Sequence, residues 1–137
     1  MKWIGQNIYD KITRFRGTVY FESDVNFNTD TVTFTSANAD DPTVIIENVR
    51  SDAQAARLQF RKLRTDDGVA SGTNLGEIWF NGEDSAQNAQ DYAYIIGEIG
   101  LSTNGQESGQ LLFGVANHDG GLGTGLKLRG GSVNDEI

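Results

Sequence analysis

Three features of this 137-residue chain predict a mainly β fold. Short apolar runs alternate with a period of two, and glycine and Asx turn pairs separate them. A helical period is confined to the first sixteen residues. The expected architecture is a short N-terminal amphipathic helix followed by a β-rich domain, antiparallel and sandwich- or prism-like. The polar run Ser36 to Asp41 and the lone Pro42 break the chain, so we divide it there. Residues 1–41 form an N-terminal helix and β-type segment, and residues 42–137 a β-rich domain.

The helix is read from Ile4, Ile8, Ile12 and Phe15, whose spacings of four, four and three line one helical face. Arg14 and Arg16 suit the negative pole of the helix dipole, and Gly17 is a natural stop. About four turns are marginal alone in water. Such a helix therefore needs a surface to lie on: its own β domain, its own copies or a docking site.

From Thr18 the period changes. Val19, Phe21, Val25 and Phe27 alternate roughly, and Val32 and Phe34 continue the pattern in Thr31–Thr35. After Pro42, β-type runs are expected at Thr43–Val49, Ala56–Thr65, Leu75–Asn81, Tyr92–Ser102, Gln110–Ala116 and Leu126–Arg129. Ser51–Ala55 reads as a turn or a short helical excursion. Turn pairs stand at Asp67-Gly68, Asn81-Gly82, Asn104-Gly105 and Asp119-Gly120-Gly121. In Tyr92–Leu101, Ala93, Ile95, Gly97, Ile99 and Leu101 are expected on one face, and Tyr92, Tyr94, Ile96, Glu98 and Gly100 on the other. Both faces carry apolar residues, which predicts burial on both sides. Gly76-Glu77-Ile78-Trp79-Phe80 resembles Gly109-Gln110-Leu111-Leu112-Phe113 thirty-three residues later, and Ala56-Arg57-Leu58-Gln59-Phe60 has a similar cadence. That weak repeat suggests a hairpin-like unit used more than once, in competition with chance likeness among amphipathic strands. The core positions expected from these runs are Leu58, Phe60, Ile78, Phe80, Ile95, Ile99, Leu111 and Phe113.

Composition narrows the function classes. A hydrophobic fraction of 37% and a mean hydropathy of -0.42 are low for a chain that must build a thick core alone, so association with other copies is expected. The 17 glycines lack the every-third-residue period of collagen. With no cysteine there is no disulfide framework or thiolate site. No run approaches the ~20 apolar residues of a membrane span, and the opening residues lack the apolar centre of a secretion signal. The net charge of -8 disfavours nucleic-acid binding, which rests on neutralising phosphates. Arg50, Arg57, Arg61, Lys62 and Arg64 cluster in one stretch, whereas nine acids from Asp66 to Asp119 follow without a Lys or Arg until Lys127. Arg57, Arg61 and Arg64 are thus candidates to pair with Glu77 and Glu98 across a subunit boundary. A solvated surface is the plainer reading, since exposed pairs contribute little.

The opening Trp3-Ile4-Gly5-Gln6-Asn7-Ile8-Tyr9-Asp10, with Ile12 and Arg14-Phe15-Arg16, resembles the start of fibre-like structural proteins of tailed bacteriophages. Leu58 to Leu128 resembles a recurrent phage fibre domain. It runs from the Arg-rich Leu58-Gln59-Phe60-Arg61-Lys62-Leu63-Arg64 through Leu75–Asp84, Tyr92–Ile99 and Ser108–Phe113 to Leu126-Lys127-Leu128. These motifs are strand signatures and carry no chemistry. The resemblance implies an intertwined or side-by-side β homotrimer in the virion, assembled in the host cytoplasm. It also implies N-terminal attachment to other virion proteins of the tail, baseplate or neck, and host-surface glycan recognition by a more distal part. Trp3, Ile4, Ile8, Ile12 and Phe15 are then the candidates for particle docking or trimer packing. Fibres of this kind often end in a receptor-binding tip or a self-cleaving chaperone domain. Neither is recognised here, and the natural chain is expected to continue past Ile137.

Chemistry-bearing residues are few, and the expectation is a non-enzymatic protein with no cofactor and no metal. His118 is the single histidine, and Asn117-His118-Asp119-Gly120-Gly121 reads as a turn. One histidine per chain cannot supply a multi-histidine metal site, except where copies meet on a symmetry axis. Asp66-Asp67-Gly68 and Glu83-Asp84 lack EF-hand spacing. The cluster Gly120–Gly125 matches neither a P-loop nor a dinucleotide fingerprint and reads as a flexible loop. Glu77 and Glu98, in neighbouring predicted strands, are the one carboxylate pair suited to glycoside hydrolysis. Trp79, Tyr92 and Tyr94 make a thin aromatic platform for a sugar and are equally well explained as strand packing residues. A carbohydrate-binding adhesin module is thus the alternative function, with a tail-spike depolymerase fragment ranked below it.

Overall fold

The computed structural model describes residues 15–63 and 68–131. The expected helix, with Trp3, Ile4, Ile8 and Ile12, lies outside the described residues, as do Arg64, Asp66 and Asp67. Contacts divide the chain into two units at Ile45/Ile46.

In the first unit the described residues 15–45 carry neither helix nor strand. Thr18–Phe27 and Thr31–Thr35, expected as strands, form no ladder, and their large apolar side chains are exposed. Asp40 turns the chain with a φ of 63° just before the cis Asp41–Pro42 peptide.

The second unit opens with a loop built by its own side chains. Asn48 donates to the Gln54 carbonyl (3.0 Å), Arg50 N–H donates to Asn48, and Gln54 N–H donates to Asp52. Arg50 also pairs with Asp52 at 3.2 Å. Ser51–Ala53 is therefore a bend, not a helical excursion. The flanking runs expected as strands carry no ladder in their described parts, 43–49 and 56–63. A turn can form from local hydrogen bonds, whereas a strand exists only against a partner.

The remainder is a single antiparallel sheet of four strands in sequence order: β1 (Asn74–Glu83), β2 (Ala89–Leu101), β3 (Ser108–Ala116) and β4 (Leu122–Arg129). Asp84 shapes the β1–β2 hairpin by accepting from the N–H groups of Ala86 and Asn88 and from the Asn88 amide. Those bonds, the Asn88 side chain first, hold its carboxyl below the usual range. The expected turn at Asn81-Gly82 is therefore displaced, and β1 runs through it to Glu83. Asn104-Gly105 and Asp119-Gly120 do turn the chain, with Gly105 and Gly120 at φ of 78° and 82°. The glycine cluster is only partly loop, since β4 begins at Leu122.

Register assigns each face. Ile78, Phe80, Ala93, Ile95, Gly97, Ile99, Leu111, Phe113, Val115, Leu126 and Leu128 share one face, which holds no charged side chain; its hydrogen-bonding side chains, Gln90 and Tyr92, stand at the hairpin end of β2. The other face carries Glu77, Trp79, Tyr94, Ile96, Glu98, Gln110, Leu112, Thr124, Lys127 and Arg129. Bulges shift the pairing at Leu75, Tyr92, Gly100 and Gly125. Two of them correct the alternation expected in β2. The Tyr92 ring lies against Gly82 on the apolar face, and Leu101 pairs with Ser108 on the polar face.

Ile78, Phe80, Ile95, Ile99, Leu111 and Phe113 share that apolar face, yet no large side chain among the described residues is buried. Strand β2 is half-exposed on both sides, not buried on both. The exception to exposure is Gly114, where Tyr94 crosses β3 and fills the space that a Cβ would need. Gly114→Ala forces the ring away and is expected to destabilise the sheet by about 1–3 kcal/mol. Denaturant unfolding at fixed protein concentration checks this. The penalty should vanish in a Tyr94→Ala background, and its persistence there would separate it from ring overlap.

Candidate functional site

Among the described residues, an organised cluster of polar and aromatic side chains lies on the polar face. Register places Trp79, Tyr94, Gly114 and Thr124 in a row across all four strands. The Trp79 and Tyr94 rings stand 5.5 Å apart at 43°, within the range of favourable aromatic pairs. The Tyr94 hydroxyl reaches over Gly114 to share a hydrogen bond of 2.8 Å with Thr124 Oγ1. Glycine at 114 is what lets one side chain tie β2 to β4 across the intervening strand.

Glu77 fixes the other end of the row. Trp79 Nε1–H donates to Glu77 Oε2 at 2.6 Å, and Asn74 Nδ2 donates to Oε1 at 2.7 Å. The indole bond, with Asn74 second, lowers the Glu77 pKa. A glycosidase acid needs a raised pKa, so this displacement has the opposite sign. Glu98 faces the same way, opposite Asn74, which makes it a diagonal neighbour of Glu77. The carboxylate of Glu77 acts here as an acceptor that orients an indole.

The remaining sequence candidates do not join this cluster. Tyr92 belongs to the other face, where its hydroxyl donates to the Glu83 carbonyl at 3.3 Å. His118 sits exposed in the β3–β4 turn, and no three acidic or histidine side chains among the described residues are grouped to hold a metal. Among the described residues the one ion pair is Arg50–Asp52, so Arg57 and Arg61 do not pair with Glu77 or Glu98 within the chain. Phe15 is exposed. Phe60 lies against Gly76 at the edge of the apolar face, while Leu58 is exposed. A shallow hollow of about 440 Å³ is lined by Asn81, Ala89, Gln90, Asp91, Gly120 and Leu122. Asn81 and Asp91 are hydrogen-bonded to each other beside it. Sequence reading missed Thr124 and Gly114 as parts of the aromatic row. Only register brings them to Tyr94, and register is not visible in a glycine-rich segment.

Because its folded-state pKa is lowered, the contribution of Glu77 is complete above the unfolded value of about 4.3 and is lost as pH falls through the folded one. Carboxyl chemical shifts followed by NMR should place the Glu77 midpoint below the ordinary range, and Trp79→Phe should raise it. An unchanged midpoint would remove the indole as the cause. No protein family, curated protein or solved structure matches this chain.

Proposed function

We propose that this chain is a non-enzymatic structural protein that works as an assembly of its own copies, the N-terminal part of a phage tail fibre or related appendage. The observation that supports self-assembly is the exposed apolar face of a one-layer sheet. A sheet with an uncovered apolar face is not a stable end state in water. In this reading a homotrimer, intertwined or prism-like, covers the face and forms a shaft. Residues 1–16 dock on other virion proteins, with Trp3, Ile4, Ile8, Ile12 and Phe15 as contacts, and a distal region recognises the host. The fibre assignment itself is supported by the likeness of the Trp3–Arg16 and Leu58–Leu128 motifs to phage fibres, and it places the working protein in the virion. Arg57, Arg61 and Arg64 of one copy would face Glu77 and Glu98 of another.

Sedimentation equilibrium over a wide concentration range should give a stable trimer. A compact, stable monomer would remove the shaft reading. Particles assembled with a chain lacking residues 1–16 should fail to incorporate it while its β body stays folded. Full incorporation would sink the docking role.

One observation favours a carbohydrate-binding module as the second reading. Glu77 and Thr124 hold Trp79 and Tyr94 side by side before any ligand arrives, and preorganised rings suit sugar stacking. A glycan array should then show binding that Trp79→Ala abolishes, and an array without signal would discard this reading.

A further inference from the structure

The apolar face is continuous from edge to edge of the sheet. Four strands at 4.8 Å and about seven residues at 3.4 Å give a patch of roughly 19 by 24 Å in plan, and side-chain relief carries its accessible area toward the ~800 Å² per partner of a standard interface. The most open positions lie at its strand ends and its β4 edge, with Val115 at 61% and Leu126 at 52% exposure.

We infer that this face packs against the same face of further copies of the chain, and that the Glu77–Trp79–Tyr94–Thr124 face is left outward. This rests on the self-assembly reading above and adds which side of the sheet is covered. The occupant follows from chemistry. The face offers no charge by which a partner of opposite charge would be selected, and its hydrogen-bonding side chains, Gln90 and Tyr92, are confined to the hairpin end of β2, where the Tyr92 hydroxyl is already bonded to the Glu83 carbonyl. Identical apolar sheets can pack face to face about 10 Å apart without charge matching. That arrangement also keeps the sheet's acidic side chains, in a chain with net charge -8, out of the apolar contact, where burying them unpaired would be costly. The preceding segment does not already serve as the cover. Among its described residues Ile46, Val49, Leu58 and Leu63 are all exposed, and Phe60 lies at the edge of the face, against Gly76.

The absence of cysteine makes the test direct. Val115→Cys and Lys127→Cys each introduce a unique thiol, one on the apolar face and one on the polar face, with little change to the sheet. Alkylation by a maleimide is followed in the native full-length protein, with sedimentation run on the same samples and denaturant controls for intrinsic reactivity. The expected result is an oligomer in which the thiol at 115 reacts at least tenfold more slowly than that at 127. An oligomer whose thiol at 115 reacts as fast as that at 127 overturns the face assignment and leaves self-assembly standing. A monomer with both thiols open overturns the two together. Leu126→Cys repeats the measurement on the edge strand, should the substitution at 115 disturb folding.

Discussion

The sheet turns on one unbalanced surface: four strands with a largely apolar side whose large side chains are left exposed among the described residues. Hydrophobic burial is the main favourable term in folding. In the described residues it is barely collected, because Ile78, Phe80, Leu111, Val115, Leu126 and Leu128 each keep more than a third of their surface in contact with solvent. Backbone pairing in the three hairpins supplies hydrogen bonds, but their net worth in water is modest. In the proposed assembly the second layer comes from further copies, which would link folding to association and make stability depend on protein concentration.

The opposite face shows what the chain does where it can satisfy itself. Tyr94 closes over Gly114 and ends on Thr124, and Trp79 is held by Glu77. The Trp79–Tyr94 ring pair ties β1 to β2 and the Tyr94–Thr124 bond ties β2 to β4, so together they fix the relative slide of the strands. Register matters more than usual here, because a slip by one residue would exchange the apolar and polar sides. The polar face can therefore be understood as the register lock for the apolar one. An aromatic row with that duty is already explained without a sugar ligand, which is why the carbohydrate reading stands second.

The sheet itself was largely legible in the sequence. All four strands fall on runs marked by alternation, and the turns at Asn104-Gly105 and Asp119-Gly120 are where glycine and Asx pairs signal them. The misreadings have local causes. Asp84 offers a better-bonded turn than Asn81-Gly82, which stays inside β1. Bulges at Tyr92 and Gly100 reverse the faces of Tyr92 and Leu101, and periodicity alone carries no mark of a bulge. The glycines of β4 hide its first half, Leu122 to Gly125, because they lack the side chains on which alternation is read. The aromatic row was half visible: Trp79 and Tyr94 stand out as residues, but their partners Glu77, Gly114 and Thr124 are joined to them only by register.

The segments that read as strands and form none carry a different message. Thr18–Phe27, Thr31–Thr35 and residues 43–49 and 56–63 have β-type sequences and exposed apolar side chains, yet their backbone groups find no ladder. Local preference says how a segment would pair, not with what. In residues 56–63, Leu58 and Phe60 alternate with Arg57, Gln59 and Arg61, the pattern of a strand with one dry and one wet side. Phe60 already meets Gly76 on the apolar side of β1, and β1 is an edge strand. A basic, half-apolar segment beside an acidic edge strand matches in both charge and hydropathy, and the free edge supplies the hydrogen-bonding groups that the segment lacks. The same shortage, of partners rather than of pattern, therefore explains both the uncovered face and the unpaired runs. In the proposed assembly, further copies of the chain would supply the missing partners for both in equal number.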